Sequence, residues 1–221
     1  MRALLEYLSY AIGLPLEVLV ISALLRGPYR RFPVILAYNV VLFLTTIVDI
    51  SVYSSGNRLG HTFAYYYWRD EALRQFLVFA VVISLIYVAS ASLQARAIVR
   101  LSLIVAAIAF KATSLLIHYN PHAVVGQWMT LWSRDLDFTN LILVLALWTM
   151  LVATHCRDSQ LFLLISGLGI ELAGEAIGQS LRNAFPWTVS PGDVLIFFAF
   201  PACYWIWWQA LRPVAIRHAH V

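Results

Sequence analysis

Apolar residues in this chain form seven long stretches separated by short polar segments. Each stretch holds about 20 mostly apolar residues, the length that an α-helix needs to cross the hydrocarbon core of a bilayer. The connections between the stretches are too short to form independent domains. The pattern therefore predicts an all-α fold with seven membrane-spanning helices, forming a single transmembrane domain over residues 1–221. The predicted spans are 3–25, 32–53, 72–93, 97–118, 137–155, 159–181 and 192–211.

Composition supports a location in a membrane. The 221 residues are 62% hydrophobic and 12% charged, whereas a soluble domain is about half apolar and a quarter charged. We expect the lipid bilayer to be the partner of this chain. We also expect the chain to cross a bacterial cytoplasmic membrane several times. The arginines are scattered between apolar spans, a distribution typical of topology signals and not of a surface that binds nucleic acid.

The arginines are divided unequally between the two sets of loops that seven spans create. Cytoplasmic loops carry the excess of Lys and Arg, which predicts that the N-terminus lies outside and the C-terminus inside. The richer set of loops holds Arg26, Arg30, Arg31, Arg96, Arg100, Arg157, Arg212 and Arg217, and the poorer set holds Arg2, Arg58, Arg69, Arg134 and Arg182.

Ionisable residues inside the apolar stretches mark a candidate site. A charge at mid-membrane costs roughly 2.5–3.5 kcal/mol, so such residues usually face the interior of a bundle. On the sixth span, glutamates and glycines share one helical stripe, formed by Gly167, Glu171, Gly174, Glu175 and Gly178. The glycines predict close packing against a neighbouring helix, and the glutamates are predicted to face the interior. A closed structural network and a ligand or proton site both fit these glutamates.

Polar residues on other spans are predicted partners for the two glutamates. Lys111 shares a strip with Ser114 and His118, although its long stem can also reach the lipid headgroups. In the predicted orientation these groups lie in the outer half of the bundle, with Glu171 near the midplane, and form a polar pocket. The candidate ligand-binding residues are Asp49, Glu71, Arg74, Lys111, Glu171, Glu175 and Arg182.

The first span carries a polar stripe of its own. Glu6, Tyr10, Gly13 and Glu17 share one helical face, with Pro15 between the last two. A proline inside a helix removes a backbone hydrogen bond and kinks the helix, which predicts an irregular first span.

Aromatic side chains crowd two of the predicted outer loops. Val125, Trp128, Met129 and Trp132 recur at helical spacing, which predicts a short interfacial helix over the mouth of the bundle. Together with segment 65–68, this helix would cover the polar pocket. The predicted roof residues are Tyr66, Tyr67, Trp68, Trp128 and Trp132.

The motifs of common enzyme and cofactor sites do not occur in the sequence. There is no P-loop, dinucleotide fingerprint, zinc-protease pattern or nucleophile elbow. We therefore predict no catalytic residue, no metal site and no cofactor. These absences favour a protein that is not an enzyme, although intramembrane carboxylates alone can support acid–base chemistry.

Three short motifs occur from the third span onward. They are Tyr65-Tyr-Tyr-Trp68 followed by Glu71, Ser133-Arg134-Asp-Leu-Asp-Phe138, and the glycine-spaced Gly167, Gly169 and Glu171. Together they resemble an uncharacterised family of small bacterial seven-helix integral membrane proteins with no settled activity. This chain has Arg134-Asp135 where that family has an arginine–serine pair. The resemblance implies the seven-helix topology and no mechanism.

Four functions fit these features. A ligand-binding or sensor module accounts best for the outward polar cluster, and its signal would pass to a membrane or cytoplasmic protein at the inner rim. A small-solute or proton-coupled transporter fits carboxylates near the midplane, although no internal repeat relates the first three spans to the last three. A membrane enzyme acting on lipid is the third function, and a structural or assembly subunit without a ligand is the fourth.

Overall fold

Seven α-helices form the fold in the part of the chain that the computed structural model describes. This part comprises residues 2–54, 61–92, 96–119, 125–153, 158–184 and 191–212. The helices are Arg2–Leu25 (α1), Pro33–Ser54 (α2), His61–Ala89 (α3), Arg96–His118 (α4), Val125–Ala153 (α5), Ser159–Ala184 (α6) and Pro191–Leu211 (α7).

Six of these helices contain a segment that is long and apolar enough to cross a membrane. The described apolar segment of α1, Tyr10–Leu25, is shorter than the other six. The all-α class and the multi-pass membrane character are therefore confirmed. A membrane crossing by α1, and with it the count of seven spans, stays a prediction.

Two helices begin earlier than the sequence predicted. α3 begins at His61 and α5 at Val125, whereas the spans were predicted to begin at residues 72 and 137. The prediction of a separate interfacial helix over 125–132 is wrong, because this segment is the start of α5. Between Val125 and Asp137 the chain contains no proline, and its single glycine, Gly126, lies in the first turn. Nothing therefore breaks the helix in this segment.

Successive helices run in opposite directions. The longest connection between two helices runs from Leu25 to Pro33 and spans less than about 30 Å when fully extended. It is too short to run back along the full length of a helix, so each helix begins at the end of the bundle where the previous helix finishes. We call the end of the bundle where α1 begins the N-terminal rim, and the end where α7 finishes the C-terminal rim.

The helices form a ring with one helix outside it. α1 packs against α2 and α7, α3 packs against α2 and α5, and α6 packs against α5 and α7. α4 packs mainly against α5 and leaves most of its apolar side chains exposed, including Ile98, Leu101, Leu116 and Ile117. Exposed side chains of this kind suit contact with lipid, so α4 lies at the periphery and the interior belongs to the other six helices.

Close contact between α6 and α7 follows from the predicted glycine stripe. A Cβ atom added at Gly174 would overlap the Cβ of Ala199, and one at Gly178 would lie 2.9 Å from the carbonyl oxygen of Gly192. At Gly167 an added Cβ would lie 2.8 Å from Cδ1 of Trp207. The prediction that these glycines bring a neighbouring backbone close is confirmed.

The interior near the C-terminal rim is filled by large apolar side chains. We call this layer the apolar seal; it consists of Leu24, Phe32, Ile35, Leu85, Ile86, Leu147, Leu161, Leu164 and Trp207, all fully buried. The Trp207 indole donates a 2.8 Å hydrogen bond to the carbonyl oxygen of Leu164, so its polar atom is satisfied. Buried ionisable side chains in the described residues lie on the other side of this layer.

Candidate functional site

The two glutamates of α6 point into the bundle. Glu171 is 2% exposed and Glu175 is 9% exposed, so the predicted inward orientation is confirmed. Both lie one helical turn apart on the face that the glycine stripe presses against α7. This packing leaves the two carboxylates no route to the lipid, and they must find partners inside the bundle.

A partly buried guanidinium provides one of these partners. Arg74 of α3 donates from Nη1 to Oε1 of Glu175, and its Nε and Nη2 each lie 3.3 Å from an oxygen of Glu71. The planar fork of arginine suits this role, because it can serve two carboxylates from one position. α3 and α6 are thus joined by a triad of two acids and one base.

Polar side chains of α5 extend the triad sideways. Ser133 donates to Glu71 over 2.5 Å. The Gln75 amide donates to Oδ1 of Asp137 over 2.6 Å, and the Gln179 amide donates to Oδ2 of the same carboxylate over 2.9 Å. Three helices therefore share one hydrogen-bonded network, which we call the polar network.

Glu171 lies at the inner end of this network. Tyr38 of α2 donates its hydroxyl to Oε1 over 3.4 Å, and Cys203 on α7 lies close to the same carboxyl group. The other oxygen, Oε2, has no hydrogen-bond partner in the described residues. The apolar seal begins between Glu171 and the C-terminal rim, so the polar network ends near the middle of the bundle.

A cavity of about 230 Å³ lies beside the polar network, between α1, α2, α6 and α7. Glu175 belongs to both, since it lines the cavity and bonds to Arg74. Glu17 of α1 also lines the cavity; it is 1% exposed, and its Oε2 has no hydrogen-bond partner among the described residues. The remaining wall is formed by Tyr10, Gly13, Leu14, Thr46, Ile196, Phe197, Phe200 and Pro201.

Four of the seven predicted ligand-binding residues come together. Glu71, Arg74 and Glu175 are in direct contact, and Glu171 follows on the next turn of α6 with Tyr38 as its partner. The inner surface of the bundle holds these side chains because α3 and α6 both turn their polar faces inward.

The other three predicted residues have separate partners. The Lys111 ammonium lies 4.6 Å from the centre of the Phe79 ring, a cation–π contact at the edge of the bundle. Arg182 pairs with Asp193 across the α6–α7 connection, with Nη2 2.6 Å from Oδ1. Asp49 is half-buried and lies beside Asp70.

The predicted roof is only partly described. Tyr66, Tyr67 and Trp68 lie on α3, and their side chains are outside the described residues. Trp128 makes an edge-to-face contact with Tyr119, with ring centroids 5.4 Å apart. The indole nitrogen of Trp132 is buried without a hydrogen-bond partner in the described part of the chain.

Sequence reasoning missed much of the polar network. The sequence predicted that Glu17 shares a helical stripe with Tyr10 and Gly13, but these residues were not among the predicted site residues. In the structure all three line the cavity. A signal for four of the others was present, because polar residues recur four apart on the third, fifth and sixth spans and then share a face; Tyr38 on the second span has no such signal. The missed residues are Tyr38, Gln75, Ser133, Asp137 and Gln179.

The sequence matches no protein-family model, no curated protein and no solved structure. The motif resemblance therefore has no independent support from these comparisons.

Proposed function

We propose that the protein is an integral membrane module that binds a small molecule in the cavity between α1, α2, α6 and α7. The observation that carries this proposal is the pairing of that cavity with the buried carboxyl group of Glu17, whose Oε2 has no hydrogen-bond partner among the described residues. Burying a polar atom without a partner costs about 1–3 kcal/mol, and more for a charged group. A bound molecule with a complementary polar group would remove this cost.

A purely structural subunit fits this geometry less well. A network that serves only to hold helices together would leave no room and no unused polar atoms. Here Glu17, Glu171 and Gln179 each keep a buried oxygen without a partner among the described residues, and Glu17 borders open space. These atoms favour a site over a closed network.

The apolar seal favours a binding or sensor module over a transporter. A transporter must open its site to each side in turn, whereas the seal separates the cavity from the C-terminal rim by several fully buried side chains. Binding would then be reported by movement of helices to a partner protein at that rim. A small-solute or proton-coupled transporter is the second candidate, because Glu171 lies near the midplane.

Cysteine accessibility at Thr46 tests the proposal. Thr46 lines the cavity, and we expect Thr46→Cys, in a background with Cys156 and Cys203 changed to alanine, to react with a small impermeant methanethiosulfonate reagent from the N-terminal rim only. Val20→Cys is the matched control and should not react, because Val20 is fully buried. Reaction of Thr46→Cys from neither side would reject a ligand site, and reaction from both sides would favour the transporter.

We also propose that the N-terminus lies outside, supported by the excess of arginines in the loops of the C-terminal rim. A cysteine in the Pro28–Arg30 turn that joins α1 to α2 tests this orientation. We expect Pro28→Cys to be unreactive toward an impermeant thiol reagent added to intact cells, and Asn57→Cys, between α2 and α3, to react. The reverse pattern would show that the orientation is inverted.

A further inference from the structure

We infer that the cavity binds a small organic ammonium ion, with the Glu17 carboxylate as its counter-charge. This inference rests on the proposed function and names the chemical class of the ligand. It follows from three properties of the cavity: the charge inside the bundle, the aromatic wall, and the size of the space.

Acidic groups outnumber basic ones in the described interior of the bundle, and two of them, Glu17 and Glu175, line the cavity. In the described residues, the interior holds five carboxyl side chains, Glu17, Glu71, Asp137, Glu171 and Glu175. Arg74 contacts two of them, and Lys111 adds one positive charge near Asp137. Glu17 has no basic partner among the residues that the structure describes, and the nearby Thr46 hydroxyl donates to the carbonyl oxygen of Leu42. A cationic ligand would complement the Glu17 carboxylate.

Part of the cavity wall is aromatic. Phe197 and Phe200 lie one turn apart on α7 and both line the cavity, as does Tyr10 of α1. Gly13 allows α7 to approach at this point, since a Cβ atom there would lie 3.2 Å from Cε1 of Phe200. The negative faces of aromatic rings attract cations, and quaternary ammonium groups are recognised by such walls.

The available ligands and the size of the cavity favour an organic cation over a metal ion. A metal ion requires several oxygen, nitrogen or sulfur ligands around one point, and the described residues contain no group of three or more His, Cys, Asp or Glu side chains so arranged. The cavity volume of about 230 Å³ is below the roughly 300–1,000 Å³ of sites for drug-sized ligands. A small amine with an apolar surface meets both conditions.

A matched pair of probes tests the inference on the purified full-length protein in a non-ionic detergent. Choline and 3,3-dimethyl-1-butanol have the same shape and differ in the charged nitrogen. We expect choline to bind in the millimolar range or more tightly by isothermal titration calorimetry, and the neutral alcohol to bind at least tenfold more weakly.

The variant Glu17→Gln tests whether choline binding depends on the Glu17 carboxylate. This change keeps the size of the side chain and removes its charge, so we expect the affinity for choline to fall at least tenfold. The control is Asp158→Asn, which removes a carboxylate near the C-terminal rim that pairs with Arg31; its affinity for choline should stay within twofold of the wild type. If Glu17→Gln does not fold, a second measurement uses the Thr46→Cys protein, which retains Glu17. We expect choline to protect this cysteine from modification.

The outcomes separate this inference from the proposed function. Equal binding of the two probes, or unchanged choline binding in Glu17→Gln, would overturn the ammonium ligand while leaving a small-molecule site. Binding of neither probe to a protein whose Thr46→Cys is accessible would also overturn the ammonium ligand alone. If Thr46→Cys reacts from neither side, the proposed function fails and this inference fails with it.

Discussion

Replacing Arg74 with methionine should lower the free energy of unfolding by about 3–5 kcal/mol, the range found when one partner of a buried ion pair is removed. The loss is large because Glu71 and Glu175 would both lose their cationic partner, and the three side chains are at most 17% exposed. Denaturation by SDS, followed by circular dichroism, measures the change.

Two further variants give this prediction a control and a rescue. Arg31→Met removes the pair with Asp158, whose side chains are 47% and 22% exposed, and should cost at most about 1 kcal/mol. Adding Glu71→Gln and Glu175→Gln to Arg74→Met removes the unpaired charges, so most of the lost stability should return. An Arg74→Met protein as stable as the wild type would mean that Arg74 does not hold this network together.

Replacing Gly174 with leucine should separate α6 from α7 and cost at least about 3 kcal/mol, at or above the upper range for overpacking. Even the first atom of a side chain has no space, because a Cβ at Gly174 would overlap the Cβ of Ala199. Ile177→Phe on the same helix is the matched control. Its side chain is 49% exposed, so added bulk there should change stability by no more than about 0.5 kcal/mol.

An exchange of the two small residues gives a sharper test. Gly174→Ala alone should lower the midpoint of thermal unfolding, and Gly174→Ala combined with Ala199→Gly should restore it, because the next nearest atoms to the added Cβ are 3.7 Å away. Failure of the double variant to recover would show that the cost of Gly174→Ala does not arise from this contact.

The helices could be predicted from the sequence because lipid imposes a simple requirement. Every spanning segment must satisfy its own backbone and present apolar side chains, so long apolar runs such as 32–53 identify helices directly. The starts of α3 and α5 could not be found in this way. Their first three turns carry Trp68, Arg69, Trp128 and Arg134, and a helix that continues beyond the hydrocarbon core no longer has an apolar pattern.

The site could be predicted less well than the fold. Glu71, Arg74 and Glu175 could be identified because ionisable groups are costly in a membrane and must pair. Which groups pair depends on how the helices are arranged in the ring, and the sequence does not contain that arrangement. Lys111 illustrates the limit, since α4 lies outside the ring and carries this side chain to Phe79 instead of to a glutamate.

The apolar seal also determines where a membrane potential acts on this protein. A voltage difference between two aqueous phases falls mainly across the low-dielectric material between them, and the layer around Phe32, Leu164 and Trp207 is part of that material. One charge that crosses the whole membrane gains or loses about 2.3 kcal/mol per 100 mV. A cation that binds at Glu17 has not entered that layer and therefore experiences only part of this energy. Occupancy of the cavity would depend less steeply on the membrane potential than movement of the same cation across the whole membrane.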